Sequence, residues 1–244
     1  MELYDRIGHG YRELRREDPR IAARIARALE GCASVVNVGA GAGSYEPRGR
    51  AVVAVEPSTV MIRQRRRGAA PVVRASATGL PVRDGSFDAS LAVLTIHHWP
   101  DLARGLAELR RAARRKVVIL TFDTSVSGFW LRDYFPEIAE IDRGCLPPLA
   151  AIERQLGRLA VFDVPIPHDC TDGFLGAYWR RPRAYLDPDV RSAISVFPKM
   201  RDVETGVAAL RRDLASGEWA RRYGDLLTRS ELDLGYRLVV AQGG

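Results

Sequence analysis

The chain has 244 residues, a length that fits one large globular domain. Its composition, with 46% hydrophobic and 27% charged residues, is that of an ordinary folded protein and excludes a disordered, collagen-like or disulfide-stapled chain. The formal net charge of +7 raises the question of a nucleic-acid partner, because phosphate contacts need clustered basic side chains.

Hydropathy and cysteine usage predict a cytoplasmic protein with no membrane partner. No apolar run approaches the roughly 18 residues needed to cross a bilayer, and charges interrupt the N-terminal segment where a signal peptide has its apolar stretch. Cys32, Cys145 and Cys170 show no C-x-x-C spacing, so we expect reduced, buried thiols and no metal site. A monomer and a homodimer are both compatible with the sequence.

The basic residues are almost all arginines, since Lys116 and Lys199 are the only lysines among 37. Two basic runs, 63–67 and 110–116, fall at the C-terminal ends of predicted helices, where cations complement the helix dipole. We interpret both runs as solvated helix ends and expect no nucleic-acid partner.

Helical and apolar segments alternate from residue 18 to residue 122. Asp18 followed by Pro19 predicts a helix start, and apolar residues then recur at helical spacing up to Gly31. The predicted strands are residues 35–38, 52–55, 71–73, 87–94 and 116–122, and the helices among them are 59–67 and 102–114. This alternation indicates an α/β fold with a doubly wound, mostly parallel sheet.

The first predicted strand runs directly into a glycine-rich turn, residues 39–43. Between a strand and a helix, glycines let the backbone turn tightly and approach a nucleotide-like ligand closely. The second strand ends in Glu56, a position suited to accepting hydrogen bonds from both hydroxyls of a ribose. Ser44 stands where a dinucleotide fingerprint has its third glycine. The sequence therefore predicts a nucleoside site that departs from the dinucleotide pattern.

The order and spacing of these segments resemble the class I S-adenosylmethionine-dependent methyltransferases of the methyltransferase type 11 group. The similar segments are the glycine turn, Glu56-Pro57-Ser58 with Met61, residues 77–88 and residues 97–101, within about residues 35–122. The resemblance implies S-adenosylmethionine as the cofactor and S-adenosylhomocysteine as its product. It also implies a Rossmann-like, seven-stranded sheet with an antiparallel last strand.

The resemblance implies a set of cofactor-binding residues at the strand ends and in the N-terminal lead-in. They are Tyr4, Tyr11, Gly39, Ala40, Gly41, Gly43, Glu56, Pro57, Ser58, Met61, Ser76, Ala77, Thr78, Leu94 and Thr95. Relatives usually have an Asp where Ser76 stands, which predicts a weaker contact with the adenine amino group. Tyr4 and Tyr11 are candidate covers of the sulfonium, with packing on the domain surface as the alternative.

A long insertion precedes the last predicted strand. The sheet of this group ends in an antiparallel pair, for which residues 158–166 and 234–241 are suited, and about seventy residues separate the two. Such a length exceeds what a hairpin needs and is usually functional. We expect a helical substrate lid at 167–231, with a helix over 203–214.

The chain is predicted to form a single methyltransferase domain with three parts, and the segment of aromatic residues lies within the core. Residues 1–31 form N-terminal cap helices, residues 32–166 and 232–244 form the cofactor-binding core, and residues 167–231 form the lid. The aromatic residues of segment 125–156 are either hydrophobic core or pocket lining. They are Phe129, Trp130, Tyr134 and Phe135.

Three histidines are candidate catalytic residues. His97 and His98 follow the fourth predicted strand, at the sheet edge where ligands of such folds bind. An imidazole there is able to take a proton from a phenol, hydroxyl or amine near neutral pH. Alternatively, the pair orients the loop while Trp99 packs. Of the pair, His98 is the first candidate for the base, and His168, at the start of the lid, is a weaker one.

We predict methyl transfer from S-adenosylmethionine to an oxygen, nitrogen or carbon atom of a small molecule. Methylation of RNA or protein is an alternative that needs an open basic cleft, and a non-catalytic protein that binds the cofactor for a partner is another. The lid and the histidines favour the first function. Arg180, Arg181 and Arg183 indicate either a carboxylate-bearing acceptor or a solvated basic surface.

Overall fold

A computed structural model describes residues 15–244 of the chain. The predictions for Tyr4 and Tyr11, and for cap helices before residue 15, lie outside the described residues. The α-helices are α1 (Pro19–Ala28), α2 (Thr59–Arg63), α3 (Leu102–Ala112), α4 (Leu131–Tyr134), α5 (Glu137–Cys145), α6 (Leu149–Leu156), α7 (Pro188–Ser192), α8 (Glu204–Ser216) and α9 (Glu218–Tyr223). Short 3₁₀ turns occur at Ile96–His98, Leu175–Tyr178, Pro182–Leu186, Phe197–Lys199 and Gly224–Thr228.

Seven strands form one mixed sheet in the order β3-β2-β1-β4-β5-β9-β6. The strands are β1 (Ser34–Val38), β2 (Ala51–Val55), β3 (Val72–Val73), β4 (Phe87–Val93), β5 (Ala113–Phe122), β6 (Ala160–Asp163) and β9 (Tyr236–Gln242), with β7 (Ile166–Pro167) and β8 (Glu231–Leu232) in a separate pair. Strands β1 to β5 are parallel, and β9 is antiparallel to both β5 and β6. The predicted fold class is confirmed.

The strand order places a crevice at the centre of the sheet. Strand β1 lies between β2 and β4, so the chain leaves it on one side and returns on the other. Ligands of open α/β sheets bind outside the carboxyl ends of the strands at such a switch point. The glycine turn follows β1, and residues 94–98 follow β4, at this point.

The N-terminal helix starts as the sequence predicts. The Asp18 carboxylate accepts a hydrogen bond from the backbone N–H of Arg20 at 2.9 Å, and Pro19 occupies the first turn. Ile21 and Ile25 are buried against the sheet core. The helix ends at Ala28, short of the expected Gly31, because its last turn gives way to a turn at residues 29–31.

The interpretation of the basic runs as solvated helix ends is confirmed for Arg63 and Arg110, which are exposed in the last turns of α2 and α3, and is wrong for Arg65 and for the residues that continue into β5. Helix α2 ends at Arg63, and the side chain of Arg65 is only 5% exposed. Arg65 pairs with Glu46 and donates to the carbonyls of Gly41 at 3.3 Å and Ala70 at 2.9 Å. A buried guanidinium needs such partners, and here they brace the glycine turn. In the second run, residues 113–116 belong to β5.

The segment predicted as one strand at 158–166 forms two strands in different sheets. Pro165 has no N–H for the ladder, and β6 ends before it at Asp163. Strand β7 then pairs with β8, with Ile166 opposite Leu232 and Pro167 opposite Glu231. This pair ties the two ends of the insertion together.

Aromatic side chains join the insertion to the rest of the core. Trp179 and Tyr185 are fully buried, and Trp130 packs edge-on against Tyr185 and Trp219 with ring centroids 5.6 and 5.3 Å apart. The Trp130 indole N–H donates to the carbonyl of Trp179 at 2.8 Å. The four aromatic residues of segment 125–156 are therefore hydrophobic core: Phe129, Trp130, Tyr134 and Phe135.

Cysteine burial agrees with expectation at two positions out of three. Cys32 and Cys170 are buried, whereas Cys145, the last residue of α5, is exposed, so the prediction of a buried thiol is wrong there.

Within residues 15–244, no helix is long and apolar enough to span a membrane.

The glycine turn passes very close to the end of β4. Gly39 has a φ of +71°, and a Cβ atom built on it would lie 2.2 Å from the Thr95 hydroxyl oxygen. Its N–H donates to the carbonyl of Val55 at 2.8 Å, which fixes the turn against β2 as well. Gly49 has the same φ of +71° with no atom within 4 Å of the built Cβ.

These two glycines separate backbone strain from steric exclusion. We expect Gly49→Ala to lower the free energy of unfolding by about 1–2 kcal/mol, the cost of a left-handed non-glycine residue. Gly39→Ala is expected to cost at least about 1 kcal/mol more, because Thr95 must move. Urea denaturation measures both changes. Equal losses in the two variants would contradict the close approach of the turn to β4.

Candidate active site

A cleft of about 990 Å³, open solvent at its mouth included, lies at the switch point; we call it the strand-end cleft. Eleven of the predicted cofactor residues line it: Gly39, Ala40, Gly41, Glu56, Pro57, Ser58, Met61, Ser76, Ala77, Leu94 and Thr95. Gly43 instead lines a neighbouring surface cavity, and Thr78 lines neither.

Glu56 is held by backbone donors on both sides of the cleft. One carboxylate oxygen accepts from the N–H of Gly41 at 2.8 Å, and the other accepts from the N–H of Ser58 at 2.9 Å. The Ser58 hydroxyl in turn accepts from the N–H of Met61 and caps α2. A carboxylate is able to accept several hydrogen bonds at once, which suits a position that meets ligand hydroxyls.

Ser76 and Thr78 form a local turn beside the cleft. The two hydroxyl oxygens are 2.9 Å apart, and the N–H of Thr78 donates to the Ser76 hydroxyl at 3.3 Å. Of the two, Ser76 reaches the cleft. A short side chain with its hydroxyl already engaged agrees with the weaker adenine contact expected at this position.

Asn37 is a cleft residue that the sequence analysis missed. It is 1% exposed in β1, lines the cleft, and its side-chain nitrogen has no hydrogen-bond partner among residues 15–244. A buried donor without a partner is costly, so the site fits a ligand that brings an acceptor oxygen. A polar residue inside an otherwise apolar strand is the sequence signal that was available.

A second cavity, which we call the inner cavity, has a volume of about 620 Å³, open solvent at its mouth included, and lies between the sheet and the insertion. Its lining residues are Arg15, Leu94, His97, Phe122, Asp142, Leu146, Phe174, Leu175, Ile194, Ser195, Val196 and Tyr236. Arg15 and Leu94 line both cavities, so the two adjoin. Leu94 has a φ of +49°, an uncommon value for a branched side chain that often marks a functional site.

The two adjacent histidines face different cavities. His97 lines the inner cavity, His98 lines the strand-end cleft, and their ring centroids are 3.9 Å apart. Burial lowers the pKa of His97 to about 4, and nearby Lys199 and Arg15 add to the effect. Burial, followed by the neighbouring His97, lowers the pKa of His98 to about 2. Both imidazoles are therefore neutral near pH 7.

Trp99 fixes the loop that carries these histidines. Its ring lies against Gly105 of α3, where a built Cβ would be 2.4 Å from the indole. Trp99 also lines the strand-end cleft. The packing role considered for Trp99 is thus present, together with a place in the cleft wall.

His168 lies apart from both cavities. Its backbone N–H donates to the carbonyl of Ser230, and its Nδ1 is 3.2 Å from a carboxylate oxygen of Asp169. Asp169 in turn pairs with Arg20 of α1. The structure therefore does not bring this candidate base to the site. Among the described residues, no cluster of three or more His, Cys, Asp or Glu side chains is arranged to hold a metal.

The lid arginines are also absent from the walls of both cavities. Arg181 donates to the carbonyls of Cys170 at 2.6 Å and Ala177 at 2.9 Å, and Arg180 donates to the carbonyl of Arg229. Their position does not support a carboxylate clamp for the acceptor.

A buried network holds Arg15 at the boundary of the two cavities. The carboxylate of Asp172, in the insertion, accepts from the Arg15 guanidinium at 2.6 Å and from the Tyr45 hydroxyl at 2.9 Å. The Tyr45 hydroxyl accepts from the N–H of Asp18 at 3.2 Å. Burial and the nearby Asp172 raise the pKa of Tyr45, so its hydroxyl remains a donor. No pattern in the sequence indicates that Arg15, Tyr45 and Asp172 lie together.

Comparisons with known proteins agree with this geometry. The methyltransferase domain family matches residues 36–121. A crystal structure of a putative methyltransferase from an antibiotic biosynthesis pathway of Anabaena variabilis is 34% identical, with a TM-score of 0.86 over 93% of this chain and 98% of that chain. Curated proteins give no significant match.

Two more distant structures share the fold. A possible histamine N-methyltransferase from Thermotoga maritima is 22% identical, with a TM-score of 0.51 over 67% of this chain and 83% of that chain. Phosphoethanolamine N-methyltransferase 2 from Haemonchus contortus, in complex with phosphomonomethylethanolamine and S-adenosylhomocysteine, is 16% identical, with a TM-score of 0.52 over 91% of this chain and 52% of that chain.

The family match covers the glycine turn and strands β4 and β5, and the Anabaena protein matches nearly the whole chain. The seven-stranded mixed sheet agrees with the fold similarity to the Anabaena structure. The chain therefore belongs to the class I S-adenosylmethionine-dependent methyltransferases, in the methyltransferase type 11 group.

Proposed function

We propose that this methyltransferase acts on a small molecule bound in the inner cavity. The observation that carries the proposal is that this cavity adjoins the strand-end cleft, since Arg15 and Leu94 line both. Five of the lining residues belong to the insertion, which supports residues 167–231 as the part of the domain that covers the acceptor. A cavity formed between the sheet and the insertion favours a small acceptor over RNA or a protein chain.

The strand-end cleft has the groups to hold the cofactor. Glu56 is placed to accept from the ribose hydroxyls, and Ser76 with Ala77 would border the adenine. The glycine turn allows a close approach to the amino-acid part, and Asn37 offers an unpaired donor to one of its oxygens. Bound there, S-adenosylmethionine would supply a methyl group to the acceptor: a nucleophile attacks the methyl carbon in line, and S-adenosylhomocysteine leaves with the electron pair of the broken S–C bond.

The protein contributes mainly alignment and exclusion of water, because positive charge disappears from the sulfonium during transfer. His97 is the better placed base, since it lines the inner cavity, whereas the sequence analysis put His98 first. A neutral imidazole of low pKa is a weak base. It suffices when the acceptor atom gains positive charge as the new bond forms, because its proton then becomes strongly acidic.

The first prediction concerns Glu56. We expect Glu56→Ala to weaken S-adenosylhomocysteine binding by about 10- to 100-fold, the cost of leaving ligand hydroxyls unpaired. Calorimetry measures it, with Glu30→Ala, an exposed acidic residue outside the cleft, as the control. Failure of the unmodified protein to bind S-adenosylhomocysteine, combined with tight NAD binding, would refute the cofactor assignment.

The second prediction separates the two histidines. With a panel of phenols and aromatic amines as acceptors, we expect His97→Ala to lower the rate of S-adenosylhomocysteine formation by about 10²-fold or more, with little change in cofactor affinity. His98→Ala is expected to act mainly on cofactor affinity. A His97→Ala rate within a few-fold of the parent would remove this residue as the base.

The same assay addresses pH and the non-catalytic alternative. Because the His97 pKa lies near 4, its protonation should not reduce the rate until the pH falls toward that value, rather than near 6.5. Tight cofactor binding with no product from any acceptor in the panel would favour a non-catalytic binding protein.

A further inference from the structure

The inner cavity contains one acidic side chain among its lining residues, Asp142 of α5. It is 8% exposed, and burial raises the pKa of its carboxyl group. Arg132 donates to the Oδ2 atom at 3.1 Å. Across residues 15–244 no other group donates to this carboxylate, so its Oδ1 atom has acceptor capacity to spare.

The Asp142–Arg132 pair leaves some of its hydrogen-bonding atoms without a close partner in the described chain. The Nε atom of Arg132 is buried without a partner in the described chain, while Nη1 makes a long 3.4 Å contact with the carbonyl of Val126. Buried ion pairs stabilise a fold only when their remaining donors and acceptors are satisfied. A pair that is left partly unsatisfied beside a cavity is typical of a binding site.

The charged side chains that line the cavity are paired, and Lys199, whose charge acts on His97 and Asp142, does not line it. Most of its side chains are aliphatic or aromatic, such as Phe174 and Ile194. Arg15 is neutralised by Asp172, Asp142 is neutralised by Arg132, and His97 is a neutral imidazole. A charged acceptor would bring an unpaired charge into this apolar space at a high cost.

We propose that the acceptor is an uncharged, largely apolar molecule that carries a hydroxyl or N–H group, and that this group donates a hydrogen bond to Oδ1 of Asp142. The inference rests on the proposed function, since it assigns acceptor specificity to the same cavity. Asp142 is then a specificity residue and Arg132 is its positioning residue, because Arg132 holds Oδ2 and so presents Oδ1.

The test compares three naphthalene probes that differ in the donor group or in charge. 1-Naphthol and 1-methylnaphthalene have similar size and shape, and 1-naphthylmethylammonium adds a charge. Binding of each is measured by calorimetry on the whole protein saturated with S-adenosylhomocysteine. We expect naphthol to bind at least about tenfold more tightly than either of the other probes, as a hydrogen bond to a charged acceptor implies.

Two variants assign the preference to Asp142. In Asp142→Asn the amide oxygen retains Arg132 as its donor and an NH₂ group replaces Oδ1, so the preference for naphthol should fall to within a few-fold. The double variant Arg132→Met/Asp142→Leu replaces the pair by apolar groups, which buried sites usually tolerate, and should abolish the preference. Glu140→Gln, on the exposed side of the same helix, is the matched control and should retain it. Thermal melting verifies that each variant folds.

The outcomes distinguish this inference from the proposed function. Naphthol preference that survives in the folded double variant, or equal binding of naphthol and methylnaphthalene to the unmodified protein, would overturn the role of Asp142. Stronger binding of the ammonium probe would overturn the uncharged acceptor. In each case, retained binding of S-adenosylhomocysteine leaves the methyltransferase assignment intact. Failure of the unmodified protein to bind S-adenosylhomocysteine would refute that assignment instead.

Discussion

The buried carboxylate of Asp172 holds together the parts of the chain that form the site. A fully buried carboxylate is stable only with charged or hydrogen-bonding partners, and it finds them in the Arg15 guanidinium and the Tyr45 hydroxyl. Arg15 comes from the segment before α1, Tyr45 follows the glycine turn, and Asp172 itself belongs to the insertion. Both cavities therefore depend on one contact, because Arg15 lines each of them.

The insertion forms part of the wall of the inner cavity and packs against the rest of the domain. Trp130 before α4 packs against rings of the insertion, and Trp179 donates from its indole to the carbonyl of Ile166 in β7. Well-packed aromatic contacts of this kind restrict movement. A rigid, water-poor cavity suits a reaction that gains from alignment, and it also accounts for the neutral histidines at its edge.

Sequence reasoning worked where the backbone itself carries the information. Gly39 must be a glycine because of its positive φ and the approach of Thr95, and Glu56 must end a strand to meet the turn. It failed for Arg65, which pairs with Glu46, and for His168, whose backbone N–H donates to the distant Ser230. A run of arginines looks solvated until the acidic partner, here Glu46, is known. Likewise, a histidine near a site in sequence need not face it.

The sequence by itself determined the α/β fold, the glycine turn after β1, the position of Glu56 after the second strand and the family, because each depends on local spacing along consecutive strands. The tertiary structure alone decided that His97 and not His98 faces the inner cavity, that Arg15 borders both cavities, and that Asp142 keeps an acceptor free. Those assignments depend on long-range packing of the insertion against the sheet. Periodicity and spacing contain no information about such contacts.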